Sequence, residues 1–307
     1  MGHSARVITF SAVCPGKRQE QVLDLLRRQL NEAGNCSPDL LCFPEEVLIA
    51  GGDEANPRTP ENNRAALELM QKSARGMHTN IVVGLMEPSD DYPGDFYNTA
   101  YVIGRGGDIL GRYHKRHITF RGLPNHILPG GRVVTVDTDI GRIGLMICFD
   151  VGWREDWQTL EDMGAEIVVW PAAYHGGNLL NAYAALHMYY VVSSVWNGTS
   201  RVIDPLGNTE AESGQWVDSA SSVIDPGAPI FHIDHHWQPL HEILAAYGER
   251  LHIRWDSPGN VFELASRDPS LPVEEVVRRY NLLTYRDYHT NSAADNAAVL
   301  RTHPDAL

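Results

Sequence analysis

Runs of strand length and segments of helix length take turns along the first three quarters of the chain, and hairpin signals interrupt them. This alternation is what most restricts the fold. Residues 6–13 (RVITFSAV), 39–43 (DLLCF) and 80–86 (NIVVGLM) carry the apolar, β-branched content of buried strands. Between them, Val22, Leu23, Leu25, Leu26 and Leu30 set a helical period over 19–33, and Ala66, Leu67, Leu69, Met70 and Ala74 set another over 62–77. Two hairpins follow: 97–103 with 109–113 across a glycine-rich turn (GRGGD), and 132–136 with 142–148 across DTDIG. Helices at 157–163 and 180–191 then alternate with strands at 166–170, 192–195, 199–203 and 229–233. Strand–helix–strand units mixed with hairpins predict an α/β fold of mixed sheets covered by helices.

No repeat and no low-complexity linker divides the 307 residues. The chain reads as one domain over 1–237 and a helical C-terminal extension over 238–307, with helices at 239–247 and 273–283. The polar end, NSAADNAAVLRTHPDAL, is expected to be mobile at its tip. A net charge of −14 argues against nucleic acid and against anionic lipid, both of which need clustered Lys and Arg. No apolar run reaches the length of a membrane span. The opening MGHSARVITFSAV lacks a signal-peptide pattern, and Arg6 stands where a myristoylation motif wants Ser or Thr, so a cytoplasmic location is expected.

Four cysteines, Cys14, Cys36, Cys42 and Cys148, match neither a C-x-x-C redox pair nor a zinc knuckle, and most cytosolic thiols are buried small hydrophobes. Cys148 stands apart. It ends the apolar run GLMIC and is followed by FDVGWRE. Two other segments also place a reactive side chain just past a strand: Glu45 in LCFPE and Lys115 in GRYHKRH. Carboxyl ends of strands in α/β sheets converge on one crevice, so the three can meet. A thiol near neutral pH is mostly protonated and needs a base or a nearby positive charge. Glu45 can remove the proton and return one to a leaving amine. Lys115 and the backbone N–H of Phe149 can stabilise an oxyanion. That is acyl transfer through a thioester, without metal or cofactor.

The ordered set FPE, YHKRH and ICFD resembles the nitrilase superfamily of carbon–nitrogen hydrolases, whose signature is a Glu–Lys–Cys triad. YNTAYVIGRGGDILGRYHKRH is similar to the family's block leading to its lysine, and VIDPLGN to its later D-P-x-G turn; the resemblance runs from about residue 7 to 233. It implies a four-layer α-β-β-α sandwich, commonly a homodimer that buries one helical layer, with Glu45 as base, Lys115 as oxyanion lysine and Cys148 as nucleophile. Phe149-Asp150 after the cysteine resembles the amidase and N-carbamoyl amino acid hydrolase branches more than nitrilases, which place Trp-Glu there. Arg154 stands where those branches usually carry proline and is a candidate for holding a substrate carboxylate, set against a plain ion pair at a helix start.

The family commonly carries a second glutamate between its lysine and cysteine. This chain has none there, and Asn125 and His126 fall near its place. Trp153, Tyr174 and Trp196 are candidates to line the pocket, with core packing or dimer contact as the rival role for each. Pocket shape is expected from loops 46–62, 118–131 and 172–183. Cys42 is read as structural, and Glu46, one residue beyond Glu45 on an extended segment, is read as pointing the opposite way and serving as a structural hydrogen-bond partner. His235, His236 and His241 form a cluster that invites a metal, but surface histidines also cluster without one, and no metal is expected. The leading function is hydrolysis of a small linear amide or N-carbamoyl compound with release of ammonia. Alternatives are a nitrilase acting on C≡N, an amidotransferase or acyltransferase, and a non-catalytic binding protein on this fold.

Overall fold

Alternation within single strands builds the layers of the first unit. In the computed structural model, which describes residues 4–11, 18–48, 60–120 and 126–303, β1 (Ala5–Phe10), β2 (Leu40–Cys42), β3 (Asn80–Pro88), β4 (Phe96–Ile103) and β5 (Ile109–His114) form most of one sheet. Val7, Leu40, Cys42, Val82, Ala100 and Val102 point to one side of it; Ile8, Phe10, Leu41, Ile81, Val83, Tyr101 and Ile103 point to the other. The first set packs with residues of the second sheet. The second set packs with Val22, Leu26 and Leu30 of α1 (Gln19–Gly34) and with Ala66, Met70 and Ala74 of α2 (Pro60–Met77). The two-residue period of the strand thus sorts side chains between a sheet–sheet core and a sheet–helix core.

β6 (Ile127–Leu128) pairs with β4. The second sheet runs through β7 (Val134–Thr138), β8 (Gly141–Leu145), β9 (Ile167–Ala172), β10 (Tyr190–Val195), β11 (Arg201–Ile203) and β12 (Thr209–Glu212), in the spatial order β12-β11-β10-β9-β8-β7. α3 (Arg154–Asp162) and α4 (Leu179–His187) bury Trp157, Leu160, Leu180 and Tyr183 in its core cluster. β13 (Ser219–Ile224) returns to the first sheet as the antiparallel neighbour of β1, giving the order β13-β1-β2-β3-β4-β5. Both sheets are mixed: β1, β2 and β3 are parallel, as are β8, β9 and β10, and the hairpins are antiparallel. The result is the four-layer α-β-β-α sandwich. Hydrogen bonds also cross between the sheets: Thr9 donates to the Ser193 carbonyl at 2.7 Å and Ser194 to that of Phe10 at 2.7 Å.

The chain divides into two compact units, Ser4–Pro226 and a second from Gly227 onward. The division falls before residue 237 because β14 (Ile230–His232), expected to close the main domain, pairs instead with β16 (Val261–Ser266), which also pairs with β15 (Leu251–Asp256). The C-terminal segment is therefore not only helical. Its three-stranded sheet carries Phe231, Phe262 and Leu264 into a core with Leu240 and Ile243 of α5 (Trp237–Tyr247) and Val276 of α6 (Val273–Arg279). α7 (Tyr285–Thr302) continues as helix through most of the polar end.

The histidine cluster is resolved by hydrogen bonding. His236 is buried, its Nδ1 at 2.6 Å from the His232 carbonyl and its Nε2 accepting from the Leu283 N–H at 2.9 Å. With both ring nitrogens engaged by backbone, His236 is a structural clamp. Among the described residues no group of three or more His, Cys, Asp or Glu is arranged to hold a metal ion, and no helix is long and apolar enough to cross a membrane.

Candidate active site

Proline ends β2 one residue before the carboxylate. Past Pro44 the backbone turns over β3: the Gly84 N–H donates to the Pro44 carbonyl at 3.1 Å and the Val47 N–H to the Gly84 carbonyl at 2.9 Å. The approach is so close that a Cβ on Gly84 would lie 2.6 Å from Glu45 Cα and from the Pro44 oxygen. The Trp196 indole N–H donates to the Glu45 carbonyl. Glu45 is thereby set with its side chain buried, 4% exposed.

Lys115 leaves the end of β5. Its N–H donates to the Asn98 carbonyl and its own carbonyl accepts from Gly130, both at 2.8 Å. A side chain on Gly130 would put Cβ 2.1 Å from the His114 carbonyl, so glycine keeps this crossing open. The Lys115 ammonium lies 2.6 Å from Glu45 Oε1, with the two side chains 7% and 5% exposed. Burial alone would push the ammonium's pKa down; the charge of Glu45, its hydrogen bond and the nearby Glu46 outweigh it and hold the group above its ordinary value. Lys115 stays cationic.

Cys148 opens a single turn of 3₁₀ helix, Cys148–Gly152, directly after β8, with φ at +47°. That left-handed conformation costs a non-glycine residue about 1–3 kcal/mol and persists only where neighbours hold it. Asp150 does much of the holding. It is fully buried; Oδ2 accepts from the Ile147 N–H at 3.0 Å and from the Tyr113 hydroxyl at 2.8 Å, and Oδ1 from the His117 N–H at 2.9 Å. The Trp170 indole donates to the Cys148 carbonyl at 3.1 Å. Burial, and then the charge of Glu45, raise the Cys148 pKa; Lys115 and a hydrogen bond from the Ala173 N–H oppose them without cancelling them. These effects favour the neutral thiol over the thiolate. Phe149 stands in the first turn of the short helix, where leading N–H groups lack intrahelical acceptors.

Glu45, Lys115 and Cys148 line one cavity of about 200 Å³ with Glu46, Asn98, Ile118, Thr119, Ile127, Ala173 and Trp196. A family model described as carbon-nitrogen hydrolase matches residues 12–225. The chain belongs to the carbon–nitrogen hydrolase family.

This hydrolase is 27% identical over 236 residues to a deaminated glutathione amidase of Synechocystis sp., a match covering 67% of this chain and 84% of that one. It is 25% identical over 196 residues to an omega-amidase of Saccharomyces cerevisiae, covering 56% and 66%. Its fold is that of an amidase from Nesterenkonia sp. AN1, solved as a mutant showing Michael addition of acrylamide at the active-site cysteine. The TM-score there is 0.65 at 21% identity, covering 72% of this chain and 93% of that one.

Several candidates lie elsewhere in the hydrolase. His126 is an exposed residue whose Nδ1 pairs with Asp95 at 2.9 Å, and it does not line the cavity. Asn125 lies outside the described residues, as does Cys14. Trp153 stacks on His117, ring centres 3.7 Å apart and planes 4° from parallel, while Phe149 meets Trp153 edge-on. Arg154 is exposed at the start of α3 and absent from the lining, so a substrate in this cavity meets no guanidinium from it. Tyr174, half-exposed, follows lining residue Ala173 and sets its ring edge-on to Trp170. Cys42 is buried in the core as a free thiol.

One site residue, Glu46, was read as a hydrogen-bond partner but turned the wrong way, and one was unread in the sequence. Glu46 lines the cavity, because its φ of +41° breaks the extended alternation that would have turned it away. Asn98, unmarked within the apolar strand YNTAYVI, donates to both Glu45 and Glu46. Its signal was adjacency to Lys115 across the hairpin; reading it needs the register.

Proposed function

We propose that this hydrolase cleaves the carboxamide of a small linear amide through a thioester on Cys148, releasing ammonia. The observation that carries the reading is the buried Lys115–Glu45 ion pair at 2.6 Å, set in one small cavity with the Cys148 thiol. Sγ attacks the amide carbon while Glu45 takes the thiol proton. The oxyanion is stabilised by the Lys115 ammonium and the Phe149 N–H. Glu45 returns the proton to the nitrogen as the C–N bond breaks, and ammonia leaves. Water then gives a proton to Glu45 and attacks the thioester; collapse expels sulfur, which regains its proton, and the carboxylic acid departs. The deaminated glutathione amidase and omega-amidase among the relatives support an amide over a nitrile, and the lack of Arg154 in the lining weighs against an N-carbamoyl amino acid held through its carboxylate.

The same reading takes the enzyme as a cytoplasmic homodimer. Cys36, Cys42 and Cys148 are free thiols, which suits a reducing compartment. The outer face of α4 carries exposed Leu179, Ala182, Ala185 and Leu186, an apolar stripe of the kind a second subunit covers.

Intact-protein mass spectrometry with a panel of amides, carbamoyl compounds and nitriles tests the chemistry. The expected result is an acyl adduct on Cys148 from an amide, with ammonia released and both signals lost in Cys148→Ala. Ammonia release unaffected by Cys148→Ala would overturn it.

A further inference from the structure

Asn98 holds an arrangement that its own hydrogen bonding does not favour. Its side-chain nitrogen lies 2.7 Å from Glu45 Oε1 and 2.8 Å from Glu46 Oε1, so each of its two hydrogens has a carboxylate. Its carbonyl oxygen Oδ1 is buried with no partner, a deficit of about 1–3 kcal/mol. Turning the amide over would bring that oxygen against two carboxylates and strip both of a donor. The amide is therefore oriented by the acids, and one of them, Glu46, reaches it only through a left-handed backbone at +41°.

The effect falls on Glu45. Its Oε1 receives Asn98 Nδ2 at 2.7 Å and Lys115 Nζ at 2.6 Å, which occupies both lone-pair directions of that oxygen. Only Oε2 is left to exchange a proton. We propose that Asn98, aimed by Glu46, is a positioning residue that locks Glu45 Oε1 and commits Oε2 to proton transfer with Cys148. The two oxygens of one carboxylate then have separate duties, one structural and one chemical. Because Asn98 also accepts the Lys115 N–H through its backbone carbonyl, the same residue sets the heights of the base and of the oxyanion cation. The inference rests on the amidase reading above.

The test compares Asn98→Ala, Glu46→Leu and Glu46→Gln with the wild type. Two quantities are measured: kcat and KM on the best amide, and the rate of Cys148 alkylation by iodoacetamide across pH, followed at that residue by peptide mass. Misplacing the base is expected to lower kcat on the order of 10²-fold in Asn98→Ala and Glu46→Leu, with KM near the wild-type value. Alkylation should slow in parallel, with a displaced pH profile. Glu46→Gln keeps an oxygen that accepts from Asn98 and should recover most of what Glu46→Leu loses. An alkylation profile unchanged in both disabling variants overturns the proposal, as does Glu46→Gln being as impaired as Glu46→Leu. Should Asn98→Ala not fold, Asn98→Leu, close to asparagine in shape, carries the same reading. Failure of the wild type to turn over any amide would sink the proposed function, while the alkylation rates would still decide the role of Asn98.

Discussion

In the proposed mechanism a neutral Cys148 thiol cannot attack by itself; its proton goes to Glu45 as the bond to carbon forms. Glu45→Gln is accordingly expected to lower kcat by about 10²–10⁴-fold, read from steady-state ammonia release. Lys115→Met removes the cation facing the oxyanion and should cost about 10²–10³-fold in kcat. It also strands a buried carboxylate, so urea unfolding should show a loss of about 3–5 kcal/mol. That Glu45, Lys115 and Cys148 would meet in one cavity was legible because each follows an apolar strand end, where α/β sheets gather reactive groups. Glu46 was not, since period-two reasoning applies only while the backbone stays extended, and its φ of +41° lies outside that region.

At the scale of elements, β3 governs the base from behind. Gly84→Ala would drive a methyl into the turn bearing Glu45, 2.6 Å from its Cα. A fall in kcat on the order of 10²-fold is expected, together with about 1–3 kcal/mol of overpacking strain, measurable by steady-state kinetics and denaturant unfolding. At the end of β3, burial pushes the Glu87 carboxyl up, but hydrogen bonding to His114 and the charge of Arg112 bring it below its ordinary value. A depressed carboxylate stabilises the fold fully above its unfolded pKa, about 4.3, and loses that contribution as pH falls through the lower folded value. Glu87→Gln should therefore flatten the decline in stability below about pH 4.3, as followed by urea unfolding at stepped pH. The strands whose apolar residues alternate or run together were readable. β12 (TEAE) and β13 (SASSVI) were not, because their places come from backbone pairing with β11 and β1 rather than from an apolar pattern.

For the whole molecule, the layering of the first unit followed from the order of strands, helices and hairpins, whereas the second unit was half hidden. Its β15 and β16 meet across SPGN, where Asn260 takes a left-handed φ of +55° and its N–H bonds to the Ser257 carbonyl. Read as an unstructured interval, that turn concealed a hairpin and so the partner of β14. The association proposed for the first unit is checked at Leu186, 71% exposed on α4. Leu186→Glu should convert a dimer to monomer in analytical ultracentrifugation while leaving the monomer folded, since the side chain contributes little to its own core.

The protonated state of Cys148 also bears on durability. Oxidation to sulfenic acid and beyond proceeds through the thiolate, so a nucleophile that ionises only as it reacts offers peroxide little to consume.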